Sequence, residues 1–389
     1  MALLLWGVIT FFYMYFGILY LKFSSFEPLG AMIFPEVVNK LVATFIVGAL
    51  FTTISYSFFI RKKRKVYNIL KNDSFLIYAA SFYFIMALGS FLIGIQYYGG
   101  YVNFLHTPYV AIFSGSAENG IKDVLISSSG LMAIFSVLCS YQVLTKYKVS
   151  KILIALNIVI LLSIFFQGRR ETLLLLMMTF ASFKFLNDKL SFKTLIKALS
   201  IIIVLFIFAG VGLYLRSTSE TSGGTLSAAI INAVLFETHF TIANLANEIA
   251  THTHNNLPFG GLKFLLYPLL FVIPGFIFSL LGYDKGQFFT STEPRIYDDK
   301  GGDFIFTEAY HSLGNLGVII HAVFLGFLIA YFYSAAKKNS NILFHFPLVS
   351  LILVASRKDI IYGIKYISLE FFLLFFFYAI YLLLPKKNR

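Results

Sequence analysis

Runs of eighteen or more apolar residues recur along this chain, and a run of that length crosses a hydrocarbon core of about 30 Å as a single helix. Of the 389 residues, 58% are hydrophobic and 13% charged, too little polar surface to cover the core of a soluble domain this long. The 46 Phe and 24 Tyr suit lipid-facing helix surfaces and the aromatic belts at the two interfaces. The expected fold class is an all-α polytopic membrane protein with about ten transmembrane helices. Their expected positions are 2–21, 41–60, 75–95, 124–145, 152–166, 172–186, 195–215, 314–335, 342–356 and 361–384. No repeat of 20–50 residues and no low-complexity linker divides the chain, so 1–389 reads as a single transmembrane domain. The first run lacks a basic leader and a small-residue cleavage site and reads as a retained helix. The one cysteine, Cys139, excludes an intrachain disulfide.

Charge sets the orientation. Arg61-Lys62-Lys63-Arg64-Lys65 is the strongest basic run and belongs on the cytoplasmic side. Threading the spans outward from it puts 146–151, 184–197, 337–341 and the tail at Lys386, Lys387 and Arg389 on that side too. With the loop of the basic run taken through Ser74, these segments carry 18 of the 31 Lys and Arg but only two of the 18 acids, Asp73 and Asp188. The split is a net +16 against −3, which explains the overall +13 without a nucleic-acid partner. Parity then allows zero or two crossings between Arg216 and Ser312. The preferred arrangement is zero: 217–313 is a large external loop with an interfacial stretch near 226–250 and a re-entrant segment near 263–282, broken by Pro268 and Pro274. The two-crossing version would bury Glu237 and His239 in the membrane.

Three cationic places interrupt the apolar pattern on the outer side. Gln167-Gly168-Arg169-Arg170-Glu171 joins two helices of about 15 residues, each covering only about 22 Å, so the turn is expected to lie recessed in the outer leaflet. Arg357-Lys358-Asp359 follows another short helix, and Arg216 ends the seventh span. Arginine at membrane depth costs roughly 2.5–3.5 kcal/mol and normally pairs or faces water. The first two, taken alone, are satisfied by pairing with Glu171 and with Asp359. Together they describe a basic pocket at headgroup level, where guanidinium forks match phosphate oxygens. Arg169, Arg170, Arg216, Arg357 and Lys358 are the candidate pyrophosphate ligands.

The loop 217–313 holds the remaining polar chemistry. Glu237, His239 and Glu308 are candidate catalytic residues, able to take a proton from a hydroxyl. Arg295, Tyr310, His311 and Asn315 are the candidate substrate contacts. Glu308 and His311, three residues apart, share one helix face, with Gly314 and Gly317 allowing close packing behind them. A helix cap is the plainer reading of Glu308. His252 and His254 form a lone His-x-His with no partner at metal-ligand spacing, and Asp298, Asp299 and Asp303 read as a solvated loop. No cofactor and no metal ligand is expected.

Gly168-Arg169-Arg170-Glu171 between two mid-chain helices, Phe236-Glu237 before a proline-broken stretch, and Glu308-Ala309-Tyr310 followed by Gly314-Asn315-Leu316-Gly317 together resemble the O-antigen polymerases, the Wzy-type oligosaccharide repeat unit polymerases. The order Gly-Asn-Leu-Gly and the presence of His311 depart from the family's pattern. The resemblance covers about 160–320. It implies a glycosyltransferase of the bacterial inner membrane with its active site facing the periplasm or exterior. Donor and acceptor would be undecaprenyl-pyrophosphate-linked glycans, and a chain-length regulator is an implied partner. An O-antigen ligase shares this chemistry. A lipid-linked oligosaccharide flippase is the alternative of a different class, kept open by Glu370 within the last span.

The charge split makes a topological prediction. Cysteines placed at Lys62, Lys148 and Lys338 are expected to resist a membrane-impermeant thiol reagent in intact cells, and cysteines in 217–313 to react. Labelling at 338 from outside would invert the assignment.

Overall fold

In a computed structural model of the chain, the described residues are 2–23, 35–60, 72–107, 117–185, 241–253, 258–262, 280–282, 304–339 and 341–383, with a few single positions between them. Among these every regular element is helical and no strand occurs. In chain order they are α1 (Ala2–Phe23), α2 (Pro35–Ile60), α3 (Asp73–Tyr97), α4 (Tyr101–His106), α5 (Ala117–Gln142), α6 (Val149–Phe166), α7 (Glu171–Phe185), α8 (241–253), α9 (Thr307–Leu313) and α10 (Asn315–Asn339). A last helical run begins with a 3-10 turn (Ile342–Phe344) and a short α segment (His345–Val349). It passes through a π turn (Ser350–Val354) into α11 (Ala355–Leu383).

Six stretches are long and apolar enough to cross a membrane: Glu36–Ile60, Asp73–Tyr97, Val124–Gln142, Val149–Phe166, Asn315–Lys338 and Gly363–Leu383. The chain is therefore an all-α, multi-pass membrane protein. Ala2–Ile18 and Ile342–Val354 are apolar but shorter. The span expected at 195–215 falls almost wholly outside the described residues. One expected boundary is corrected. α6 starts at Val149 rather than 152 and has 18 residues, about 27 Å of helix, because the segment carrying Lys151 is taken into its first turn. The turn at Gln167 is thus preceded by a helix of nearly full span length.

The described chain forms two compact units. The first comprises Met1–Arg64, Val234–Ala335 and Pro347–Leu369. Its helices meet at small residues, as expected where lipid gives no hydrophobic drive between helices and close van der Waals contact must hold them. Gly17 of α1 leaves room for the Thr238 carbonyl and Ile242, which lie 2.7 and 2.8 Å from where a Cβ would stand. Gly326 of α10 receives the Thr52 carbonyl of α2, and Gly48 of α2 receives the Phe306 ring. Ser55 Oγ donates to the Val323 carbonyl at 2.6 Å, fixing α2 to α10. At the end of the chain, the Ser350 carbonyl lies 3.1 Å from the Cβ position of Gly363. Thirteen residues of straight helix would separate them by about 20 Å, so the chain doubles back between them. This is the region where the sequence placed a turn at Arg357-Lys358-Asp359. Its backbone is helical there, and the side chains of 357–362 lie outside the described residues.

The second unit comprises Lys65–Ala233, Ala336–Phe346 and Glu370–Arg389. α5 lies between α3 and α6, with Ser129 Oγ and Ser136 Oγ each donating at 2.8 Å to α3 carbonyls, those of Ala87 and Ala80. Asn157 Nδ2 of α6 donates to Ser136 Oγ at 2.8 Å. A hydroxyl that bonds a neighbouring helix keeps its polar group satisfied at a depth without water. Asp73 at the start of α3 pairs with Lys146 just beyond α5, so the two helices run antiparallel.

The glycine contacts predict a sharp positional effect. Gly326→Leu is expected to lower the melting temperature in detergent, at a cost of roughly 1–3 kcal/mol from overpacking. Gly7→Leu, which has open space at its Cβ, is expected to melt with the wild type.

Candidate functional site

In the first unit, α8 buries Ile242, Leu245, Ala246 and Ile249, an i, i+3, i+4, i+7 stripe. Glu248 and His252, four residues apart, share a helix face. α9 is anchored at its start by the buried Phe304, Ile305 and Phe306 and ends at Gly314, whose φ of 60° few other residues adopt. The last carbonyls of a helix need outside donors. Here Gly260 N–H donates to the His311 carbonyl and Gly261 N–H to the Ser312 carbonyl, both at 2.9 Å. Phe259 of the same segment presses against Gly314, 2.8 Å from its Cβ position.

These supports bring three titratable side chains together. His311 Nδ1 lies 2.8 Å from Glu248 Oε2, and His252 Nε2 lies 3.6 Å from the same oxygen. The side chains of His311, Glu248 and His252 are 7%, 8% and 4% exposed. The Phe259 ring lies over His252 with centroids 4.4 Å apart. Among the described residues, this is the one group of three such side chains whose ligand-capable atoms all lie within 4.8 Å of one another. Burial pushes the Tyr310 phenol above its ordinary range, and the Glu248 carboxylate adds to the shift. A carboxylate between two imidazoles can fix their tautomers, share a proton with them, or hold a cation.

In the second unit, two helix ends of the same design carry the polar groups. α6 ends with Gly168 at φ 96°, Gly168 N–H bonding the Phe165 carbonyl and Arg169 N–H the Ile164 carbonyl. α3 ends with Gly99 at φ 76°, with matching bonds from Gly99 to Gln96 and from Gly100 to Ile95. Both are Schellman caps, and each sets the residue beside it at a fixed angle. Arg169 donates from Nε to Gln167 Oε1 at 2.7 Å, from Nη1 to Ser127 Oγ at 2.9 Å and from Nη2 to Tyr98 Oη at 3.4 Å. Lys122 Nζ lies 5.6 Å above the Tyr98 ring, a cation–π distance. Arg169 and Arg170 are 7% and 6% exposed. The turn expected to hold buried cations does hold them.

Of the other candidates, Glu308 is half-buried in the first turn of α9, one turn before His311. Asn315 starts α10, where its Oδ1 accepts from Thr44 Oγ1 at 3.1 Å, so it ties α10 to α2. Arg357 and Lys358 are known by their backbone alone. Glu237, His239, Arg216 and Arg295 lie outside the described residues. Glu370 is fully buried in α11, and neither carboxyl oxygen has a hydrogen-bond partner among the described residues. Sequence reasoning missed Glu248, Tyr98 and Lys122. The Glu248-x-x-x-His252 spacing was the available signal for the first; nothing local marked the other two. Searched against family models, curated proteins and solved structures, the chain matches none.

The Gly168 cap is testable by itself. Gly168→Ala forces a side chain into the left-handed region at a cost of about 1–2 kcal/mol and should shift Arg169 with it. The expected outcome is a lower melting temperature than that of Gly89→Ala, where the Cβ position is open.

Proposed function

We propose that this chain is a membrane glycosyltransferase that polymerises undecaprenyl-pyrophosphate-linked oligosaccharide repeat units into a surface polysaccharide. In this reading it acts at the outer face of a bacterial inner membrane, with about ten spans and an external 217–313. The observation that carries it is the buried Glu248–His252–His311 cluster, whose His311 stands on the same short helix that bears Glu308-Ala309-Tyr310 and closes on Gly314-Asn315-Leu316-Gly317. Acceptor hydroxyl oxygen attacks the donor's anomeric carbon, a C–O bond forms, and the bond to the lipid pyrophosphate breaks with its electron pair leaving on phosphate oxygen. The cluster holds the hydroxyl, and Glu308, less buried than His311 and on the same face of α9, takes its proton. The developing negative charge on the leaving group calls for fixed cations, and the sequence offers Arg169, Arg170, Arg216, Arg357 and Lys358 for that role. A chain-length regulator is the expected protein partner.

The fully buried Glu370 favours one other reading, a transporter of lipid-linked oligosaccharide, since an acid within a span marks an ion or substrate path by default. Glycan profiles separate the two. Cells carrying Glu308→Gln, Glu248→Gln or Arg169→Ala, at normal protein level, are expected to display single repeat units without long chains. Arg169→Lys should restore the chains only in part, because it loses the planar fork. Loss of every displayed repeat would point to the transporter or to a ligase, and normal chain lengths in all three variants would sink the assignment.

A further inference from the structure

The Glu248–His252–His311 cluster has a composition that its position alone does not require. A buried carboxylate that only needed neutralising would be served by one imidazole or one arginine. Here two imidazole nitrogens, His311 Nδ1 at 2.8 Å and His252 Nε2 at 3.6 Å, converge on a single carboxylate oxygen. Ligands about 2.0–2.1 Å from a tetrahedral zinc ion are about 3.4 Å from one another, a value that the two separations bracket. Two imidazoles and one carboxylate form a set used by catalytic zinc sites, which keep a fourth position for water or substrate. Magnesium and calcium prefer six or more oxygen ligands, so this nitrogen-rich set disfavours them.

The surroundings hold the three groups as a metal site does. Glu248 and His252 stand one turn apart on α8, so their spacing is fixed by helix geometry. His311 arrives from α9, whose end is clamped by the Gly260 bond to its own carbonyl. The Phe259 ring lies over His252 and limits its rotation. All three side chains are under a tenth exposed, which limits the water that competes for them.

We infer that Glu248 Oε2, His252 Nε2 and His311 Nδ1 bind one divalent cation of the zinc class with an open fourth position. Binding replaces the hydrogen bond between His311 and Glu248 and leaves two neutral imidazoles and one carboxylate around the ion, a net +1 site. The role of that ion deepens the glycosyltransferase reading and rests on it. An acceptor hydroxyl at the fourth position would have its acidity raised, and Glu308 would take the proton. This departs from the metal-free reaction expected from the sequence.

Binding is measured without any glycan, so its failure and the failure of the proposed reaction can be told apart. The full chain is purified in detergent, stripped with chelator and titrated with Zn2+ alone, with metal content and melting temperature as readouts. About one zinc per chain is expected, with a rise in melting temperature. His252→Ala and Glu248→Gln should weaken binding at least roughly tenfold, while His106→Ala on α4 should retain it. Should a ligand variant fail to fold, Co2+ on the wild type gives a second reading: a strong tetrahedral visible spectrum, displaced by one equivalent of zinc, is expected. The inference is overturned if wild type and the His252→Ala, His311→Ala double variant take up the same zinc, or if Co2+ gives only a weak octahedral spectrum. Specific zinc binding with unchanged glycan chains in Glu248→Gln would keep the site and remove the glycosyltransferase reading. Absent zinc binding with chains lost in Glu248→Gln would do the reverse.

Discussion

A peptide group in hydrocarbon has no water to bond, and this constraint decides almost everything about the chain. It forces the apolar runs into helices, and it makes the helices meet where a glycine or a serine removes the space between backbones. Gly17, Gly48 and Gly326 let a carbonyl or a ring approach to within the volume of a methyl group. Ser55, Ser129 and Ser136 place their hydroxyls on a neighbouring helix's carbonyl. Each device satisfies a polar group and adds contact area at once. Dispersion summed over many such contacts is what holds helices together when lipid is as apolar as leucine.

Among the described residues, the two clusters of charged and titratable side chains form where helices end. Arg169 reaches Gln167 and Tyr98 because two glycine-terminated helices, α3 and α6, expose these side chains at the same end of their unit. His311 sits where α9 stops, with its carbonyl bonded to Gly260 rather than to another turn of its own helix. In both cases a left-handed glycine stops the helix, and the stop creates room for a charged or titratable group. The chemistry of the protein is thus written at its helix termini, while the helix bodies carry its adhesion.

The helical architecture was legible in the sequence because hydropathy over twenty residues is a large signal, and six of the expected spans are long apolar helices in the structure. The Gln167–Arg170 turn was legible for a related reason, since charge inside an apolar field stands out. Its recessed depth was argued from a 15-residue helix, and α6 proved longer because lysines near a helix start can extend toward the interface. The Glu248–His311 pair was not legible. Its members are 63 residues apart, and only the packing of α8 and α9 makes them neighbours. Tyr98 escaped for the same reason: an aromatic in an apolar chain is unremarkable until its hydroxyl receives a guanidinium. Glu308 and His311 were placed on one helix face by their spacing, and α9 keeps them there.

The π turn at Ser350–Val354 holds one more residue per turn than the α segments around it. Each residue of an α-helix advances the side-chain direction by about 100°. That single extra residue therefore sets the angular phase of the residues between it and the reversal, including Ala355, whose Cβ lies 3.4 Å from the Cβ position of Gly363. A one-residue deletion here would regularise the helix and yet swing those residues around by more than a quarter turn, carrying Ala355 away from Gly363. Length polymorphism, ordinarily harmless in a connecting loop, is at this point equivalent to changing every residue before the reversal together.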